Sequence, residues 1–368
     1  LGDVYKRQEI NDNEIGNVLQ DMYLANGKIY FITQNGKTSS MGTTFNGDGR
    51  FVVCDAHTMK RLVARDMPFY ANIDTSTGAT QSSKSTLCWP QHIVVVSPEK
   101  AYIQYSTADN ESHSGIRIVD LQTNIIRTSD IPGTFGVFTK TGATKARMIF
   151  SRGKVFAGRG NSVIVLDPAT DAVIKTVTYE NRQVKDLAKG YDGKIYAIFT
   201  GEFTGNSGMT GAASFTKPAM IVALDANGEV VSETNLPEQI ELRTGTASPT
   251  VQMCASFTQP HLYFIGKQDF SAYEAMRYNY ETGKVNWDYI TADLDADHSG
   301  GDIIYGYMGV HPTTEQLWVG KSTYTQSAVH VYDVSRSDAL EFSSFYQKKA
   351  SPAGVDFAYR FSDEWINK

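Results

Sequence analysis

Residues 153–178 read GKVFAGRGNSVIVLDPATDAVIKTVT, and this stretch decides the fold. It holds three short runs rich in β-branched residues, 155–157, 163–166 and 173–177, separated by Gly-Arg-Gly-Asn and by Asp-Pro-Ala-Thr-Asp. Runs of this kind, bounded by Gly, Pro, Asn and Asp, are typical of strands joined by tight turns. With one more strand upstream, at 147–150, the stretch predicts a four-stranded antiparallel meander.

The same pattern recurs along the chain. A strand resembling Lys-Ile-Tyr-Phe appears six times, at 28–31, 101–103, 154–156, 194–197, 262–264 and 317–319. A second strand follows each copy and ends in a turn, at 55–58, 120–123, 167–170, 225–228, 280–283 and 333–336. These turns are spaced by roughly 45 to 65 residues, close to the period of propeller blades. Because a single four-stranded sheet cannot bury both of its faces, the repeats predict blades packed radially around a channel.

The end of the sequence predicts an additional blade. After the sixth repeat, residues 351–357 (SPAGVDF) read as one further inner strand, with no partner strands after them. Closed propellers often complete their last blade with strands from the opposite terminus, since closure removes exposed sheet edges. We therefore expect an all-β fold, a β-propeller that is seven-bladed in the native protein, with six blades plus a fragment present here.

The first eight residues, LGDVYKRQ, read as the translation of a transposon-based sequencing adapter. We expect residues 1–8 to be an artefact, which excludes them from reasoning about the fold. Residues 9–368 are then expected to form a single β-propeller domain whose N-terminal blade strands are truncated. On this interpretation the lack of a signal peptide carries no information about localisation.

The composition narrows the possible functions. Charged residues make up 20% and aromatic residues 11%, as in an ordered β protein. The formal net charge of −6, without clusters of Lys and Arg, disfavours nucleic acid as a partner. No apolar run is long enough to predict a membrane span. The three cysteines, at 54, 88 and 254, show no C-x-x-C spacing and are expected to be free thiols.

Loop length differs between the two ends of the predicted blades. Loops from second to third strands and between blades are long, such as 35–50 and 201–217, whereas the other turns are short. Because binding residues concentrate on loops held by a rigid scaffold, the end with the long loops, the long-loop face, is the predicted binding face.

Aromatic, amide and charged residues enter the inner strands from this face. The candidate ligand-binding residues are Gln20, Trp89, Gln91, His92, Lys145, Arg147, Lys185, Gln252, Tyr305 and Tyr307, with Asp186 beside them. Such residues at one mouth suit a large polar-aromatic ligand or a protein partner. The alternative is that several of them satisfy buried strand ends.

Neither a metal site nor a catalytic motif is predicted. Residues 293–302, DLDADHSGGD, are the densest acidic cluster, with Asp293, Asp295 and Asp297 in alternation. A calcium loop starting at Asp293 would need Gly at its sixth place and Glu at its twelfth, where His298 and Ile304 stand. G-x-S-x-G, H-E-x-x-H and P-loop motifs are absent, so the sequence predicts no enzyme and no cofactor.

The repeats resemble YncE-like seven-bladed β-propellers and, more closely, a Bacteroidetes family of surface lipoproteins of unknown function. The resemblance rests on 16–22 (GNVLQDM), 304–310 (IYGYMGV), 317–320 (LWVG) and 351–355 (SPAGV). It implies a non-enzymatic, extracytoplasmic protein at the outer-membrane surface or in the periplasm, attached to the membrane only through a lost N-terminal lipid anchor.

The resemblance also implies partners. Similar propellers capture corrinoids or cap TonB-dependent transporters, so the expected partners are a small-molecule or glycan ligand, with a corrinoid as one candidate, and a TonB-dependent outer-membrane transporter. Two other functions stay open: a polysaccharide-active lyase or hydrolase on the same face, and a structural or adhesive surface module.

Overall fold

A computed structural model of the 368-residue chain describes the following residues: 17–35, 48–68, 70–71, 86–107, 113–137, 146–204, 214–237, 242, 252–265, 275–290, 303–304, 307–322, 327–335, 340–347 and 354–368. The regular secondary structure among these residues is almost entirely β-strand, with one 3-10 helix and one four-residue α-helix. None of the described helices is long and apolar enough to cross a membrane.

The chain forms two compact units, of which unit 1 comprises 1–140 and 166–174. Sheet 1 of this unit has the strand order β1-β2-β3-β4, and sheet 2 has the order β10-β8-β7-β6-β5 with β9 paired to β8. The strands of both sheets pair antiparallel. The strands are β1 (Asn17–Ala25), β2 (Lys28–Asn35), β3 (Asp48–Asp55), β4 (Arg61–Pro68), β5 (Tyr70–Ala71), β6 (Thr86–Ser97), β7 (Lys100–Thr107), β8 (His113–Asp120), β9 (Ile125–Asp130) and β10 (Gly136–Val137).

Unit 2 comprises 141–165 and 175–368. Its strands are β11 (Ile149–Ser151), β12 (Lys154–Arg159), β13 (Ser162–Asp167), β14 (Ala172–Thr178), β15 (Val184–Lys189), β16 (Ile195–Phe199), β17 (Glu202–Thr204), β18 (Ser214–Lys217), β19 (Met220–Leu224), β20 (Val230–Asn235), β21 (Cys254–Ala255), β22 (His261–Phe264), β23 (Ala275–Asn279), β24 (Val285–Ile290), β25 (Ile303–Ile304), β26 (Gly309–Val310), β27 (Gln316–Ser322), β28 (Ser327–Asp333) and β29 (Leu340–Gln347). The 3-10 helix (Ala358–Phe361) and helix α1 (Asp363–Ile366) follow. Strands β13 and β14 extend across the boundary, because residues 166–174 belong to unit 1.

These strands form four further sheets. Sheet 3 has the order β11-β12-β13-β14, sheet 4 β15-β16-β19-β20, sheet 5 β21-β22-β23-β24 and sheet 6 β25-β27-β28-β29, with β26 also paired to β27. Each sheet is a meander in which strands adjacent in sequence are also adjacent in space, except in sheet 4, where the hairpin β17-β18 is inserted, and in sheet 6, where β25 and β26 both pair with β27. Six such sheets in one chain are the blades of a β-propeller, so the predicted fold class is confirmed.

The six predicted turns all form by the same chemistry. The carboxylate or amide oxygen at the end of each third strand accepts a hydrogen bond from the backbone N–H two residues later. The six acceptors are Asp55, Asp120, Asp167, Asp225, Asn279 and Asp333. Asp and Asn favour such turns because their short side chains replace a backbone acceptor. The repeat visible in the sequence is therefore a repeated Asx turn.

Apolar side chains fill the space between neighbouring sheets of unit 2. Each of three buried clusters contains side chains from two neighbouring sheets: Phe156 and Phe199 from sheets 3 and 4, Ile221 and Phe264 from sheets 4 and 5, and Tyr263 and Val319 from sheets 5 and 6. Burying one side chain of this size contributes about 1.5 to 3 kcal/mol. Packing between blades, rather than within a blade, therefore provides the core.

The structure differs from the sequence prediction in two details. Residues 201–217, predicted as a single long loop, contain the hairpin β17-β18. The described part of the predicted further inner strand, 354–357, forms only a single parallel bridge, from Gly354 to Tyr307. Most of the long loops lie outside the described residues, and the seventh blade stays a prediction.

Candidate functional site

Three inner strands carry a β-bulge at the same place. Pairing shifts register between Leu19 and Asp21 in β1, between Pro90 and His92 in β6, and between Val184 and Asp186 in β15. The extra residues are Gln20, Gln91 and Lys185, all of them among the candidates predicted from the sequence. A bulge breaks the alternation of side chains and redirects the residues around it. The residue that follows each bulge is buried.

In unit 1 the residue after the first bulge joins sheets 1 and 2. Asp21 is 5% exposed and accepts hydrogen bonds from the backbone of Met22 at 2.9 Å and of Ile93 at 3.3 Å. Its second oxygen lies 3.2 Å from Nδ1 of His92. Gln91 donates to the Ser106 hydroxyl at 2.9 Å. Two of the predicted ligand residues, Gln91 and His92, thus have buried protein partners.

The same arrangement recurs in unit 2 around Asp186, which is fully buried. One carboxylate oxygen accepts from the Leu187 backbone at 2.9 Å, and the other accepts from the Met253 backbone in sheet 5 at 2.9 Å. The Tyr307 hydroxyl donates to Asp186 at 3.3 Å. A buried carboxylate with several donors is held as an acceptor and anchors the strands that supply them.

Arg147 completes this cluster. Its guanidinium lies 3.8 Å from the centre of the Tyr307 ring and 3.0 Å from Oδ2 of Asp356. Asp356 also pairs with Arg360 at 2.8 Å. Here "the inner-strand cluster" means Arg147, Asp186, Tyr307 and Asp356, which join sheets 3, 4 and 6 and the 354–357 segment. Because two arginines flank Asp356 and donors surround Asp186, each buried carboxylate has compensating partners.

Six predicted ligand-binding residues remain, and the structure describes four of them. Lys185 and Gln252 are buried, and Gln252 adopts a left-handed backbone conformation, with φ of +52°. Gln20 and Trp89 are half-buried. Lys145 and Tyr305 lie outside the described residues. The structure brings Arg147 together with Tyr307, and His92 with Asp21, but ligand contact by any of these residues stays a prediction.

Sequence reasoning missed Asp21 and Asp356. Asp21 directly follows the predicted Gln20, and Asp356 stands in the predicted last inner strand, so position in the repeat is the signal that could have found them. In the described ranges, no three His, Cys, Asp or Glu side chains are grouped to hold a metal ion. The acidic cluster at Asp293, Asp295 and Asp297 lies outside those ranges.

Residues 362–368 cover the other end of the inner strand β15. Lys189 is buried, and its ammonium group donates to the backbone carbonyls of Trp365 at 2.6 Å and Ile366 at 3.0 Å. The Trp365 carbonyl also accepts from the Lys368 backbone at 3.2 Å and the Ile366 carbonyl from the Arg152 backbone at 2.9 Å, so Lys189 shares both acceptors with backbone donors. Burial, together with the nearby charges of Arg152 and Lys368, lowers the pKa of Lys189 from 10.5 to about 8.

This buried lysine predicts a pH dependence of stability. Because the pKa of Lys189 is lower in the folded state, the unfolded chain binds more protons between about pH 8 and 10.5, and stability from this group rises with pH there. Relative to Lys189→Met, the wild type is expected to gain about 1 to 3 kcal/mol over this range. Urea unfolding at pH 7 to 10.5 measures the difference, with the exposed Lys60→Met as control. A difference that is flat or falls with pH would contradict the assignment.

The blades and their inner strands define the class of protein: a β-propeller whose inner strands are tied together by buried polar side chains. Residues 2–357 match the family described as "Domain of unknown function (DUF5074)", and the chain belongs to this family.

Solved structures with a similar fold include Kuenenia stuttgartiensis hydrazine synthase, at 13% identity and a TM-score of 0.54 over 94% of this chain and 92% of that one. A chain of a mitotic checkpoint complex is similar at 11% identity and a TM-score of 0.50, over 94% of this chain and 84% of that one. At these identities the likeness concerns the fold alone. The comparison with curated protein sequences found no match.

Proposed function

We propose that this propeller is a non-enzymatic binding protein that captures a nutrient ligand, or docks on a transporter, through its long-loop face. The observation that carries the proposal is that the buried carboxylates in the inner-strand cluster are occupied by hydrogen bonds and ion pairs within the protein. Asp186 accepts two backbone N–H groups and a phenol, and Asp356 is paired with two arginines. These groups are fully engaged in holding strands together.

The pairing of these groups favours a scaffold over a catalyst. A general acid or base needs a proton that can leave and a position within reach of a substrate. Carboxylates held by backbone donors and arginines have neither a proton that can leave nor a free position beside a substrate. They do, however, fix the inner strands that carry the loops. Rigid strands with long, variable loops are a typical arrangement for recognition of a ligand or a partner.

The proposal includes a location and candidate partners, both taken from the family resemblance. The protein acts outside the cytoplasm, at the outer-membrane surface or in the periplasm. Its ligand is a small molecule or glycan, with a corrinoid as the first candidate, and its partner is a TonB-dependent transporter. Gln20 and Trp89, the half-buried candidates, are the described residues best placed to contact such a ligand without a change in the core.

A thermal-shift screen tests this proposal. The purified chain is heated with cobalamin, cobinamide, ferric siderophores, haem or a glycan panel. A ligand that binds only the folded state at a hundred times its Kd stabilises by about 2.7 kcal/mol, which corresponds to a rise of several degrees in Tm. We expect one ligand class to raise the Tm, and Trp89→Ala to reduce that rise.

Trp287→Ala is the matched control, since Trp287 is 42% exposed on β24. It removes the same side chain from a site that the proposal does not involve. If no ligand raises the Tm, small-molecule capture is wrong and transporter docking is tested by co-purification. A rise that both variants retain in full would place the ligand away from Trp89.

A further inference from the structure

A small pocket opens among the short turns of unit 2, away from the inner-strand cluster. It lies between sheets 4 and 5 and has a volume of about 160 Å³. The side chains of this turn pocket include Asp192, Lys194 and Tyr196 from the first hairpin of sheet 4, Ser232 and Thr234 from β20, and Glu281 from the turn after β23. The sequence predicted a turn at 280–283 but no binding site at this position.

Both carboxylates of the turn pocket accept hydrogen bonds from neighbouring side chains. Asp192 accepts from the Lys194 ammonium at 2.6 Å and from the Tyr196 hydroxyl at 3.0 Å. Glu281 accepts from the Tyr191 hydroxyl at 2.6 Å. The lining holds two carboxylates and one ammonium group, so its excess charge is negative and disfavours an anionic ligand. It offers instead hydroxyl, ammonium and carboxylate groups that can each exchange hydrogen bonds with a neutral ligand.

Stacked tyrosines make the wall of the pocket rigid. The Tyr280 ring stacks on Tyr196 at 4.2 Å and on Tyr191 at 6.2 Å between ring centres. The Tyr280 ring therefore has a neighbouring ring on each side and forms a packed wall. Burial, with the nearby Asp192 carboxylate, raises the pKa of Tyr196 and Tyr280, so both hydroxyls stay protonated.

The open side of the pocket is formed by β20. Ser232 and Thr234 are exposed and lie two residues apart on the same strand, so their hydroxyls belong to one face of it. The base is formed by Ile221 and Tyr278, which are 3% and 2% exposed. A ligand would thus meet a small apolar floor and a rim of hydroxyl and charged groups.

We propose that the turn pocket binds one sugar ring, as a neutral polyhydroxylated ligand or the end residue of a glycan. Pockets for drug-sized ligands measure about 300 to 1,000 Å³, and a volume of about 160 Å³ is therefore suited to a single ring rather than to a corrinoid or haem. The carboxylate and hydroxyl acceptors and the ammonium and hydroxyl donors of the lining match a neutral ligand with many hydroxyl groups, each of which can both donate and accept. This site is separate from the long-loop face and does not depend on the function proposed for it.

Saturation-transfer NMR on the intact chain tests the inference. The probes are the methyl glycosides of glucose, galactose, mannose and N-acetylglucosamine, with myo-inositol, and cyclohexanol as a ring of similar size with one hydroxyl. We expect transfer to at least one glycoside and none to cyclohexanol. Ser232→Tyr fills the pocket from an exposed position and is expected to weaken binding at least tenfold. Thr234→Val, which removes one hydroxyl but keeps a β-branched side chain, is expected to weaken it severalfold.

Val231→Tyr is the matched control, because Val231 is 51% exposed on the same strand and does not line the pocket. It should bind like the wild type, and all three variants should melt within a few degrees of it. The inference is overturned if no glycoside shows transfer, if cyclohexanol shows as much transfer as the sugars, or if Ser232→Tyr binds a glycoside unchanged. Glycoside binding that Ser232→Tyr abolishes but Trp89→Ala leaves intact supports this pocket without bearing on the long-loop face.

Discussion

Replacing Asp186 by alanine is expected to lower the free energy of unfolding by about 3 to 5 kcal/mol. The carboxylate is 0% exposed and accepts from the backbones of Leu187 and Met253 and from the Tyr307 hydroxyl. Without it, these donors stay buried with no acceptor, at a cost of about 1 to 3 kcal/mol each where water cannot enter. The Met253 bond joins sheet 4 to sheet 5, so the loss also loosens their packing.

Urea denaturation followed by circular dichroism measures this effect. Asp186→Asn keeps the shape and one oxygen acceptor, and is expected to cost less than the alanine variant. The exposed Glu180→Gln removes a surface charge in the same unit and should change stability by no more than about 0.5 kcal/mol. A loss of less than about 1 kcal/mol for Asp186→Ala would show that these bonds are not structural.

The second large effect is expected for Trp365→Ala, at about 3 to 5 kcal/mol. Trp365 is 4% exposed, and its ring packs edge to face on Phe257 at 4.6 Å between centres. It also lies beneath two ammonium groups, those of Lys189 at 5.4 Å and Lys368 at 5.5 Å. Removal of the indole leaves a cavity and weakens the attachment of helix α1, the carbonyls of which accept from Lys189.

Hydrogen exchange and thermal unfolding together separate global from local effects. We expect the Tm to fall and the amides of 362–368 to lose protection before the sheets do, because Trp365 is the buried residue of helix α1. Trp287→Ala, at an exposed position, should have a small effect on both observables. Unchanged protection of 362–368 in Trp365→Ala would contradict the role assigned to the ring.

The buried polar residues explain why the sequence pointed to the inner strands as a site. Arg147, Asp186 and Tyr307 are residue types that are typical of a binding site. In the structure, however, they contact one another or Asp356. Composition alone does not separate these cases, because the same groups bind a ligand when water-exposed and bind each other when buried. For the half-buried Gln20 and Trp89, ligand binding stays a prediction.

The fold class and the turns could be predicted from the sequence alone. Each Asx turn depends on a side chain and a backbone amide two residues apart, as at Asp55 and His57, and strand patterning is equally local. Such short-range chemistry repeats visibly, so six blades could be counted and their order read without coordinates.

The hydrogen bonds and ion pairs between distant polar groups follow from the tertiary structure alone. Asp186 and Met253 are 67 residues apart, Asp186 and Tyr307 are 121 apart, and Arg147 and Asp356 are 209 apart. The turn pocket likewise combines segments of two blades. The periodicity of the sequence does not predict these contacts, because they depend on how one blade packs on the next. Blade packing is determined by the summed burial of many apolar side chains rather than by any single residue.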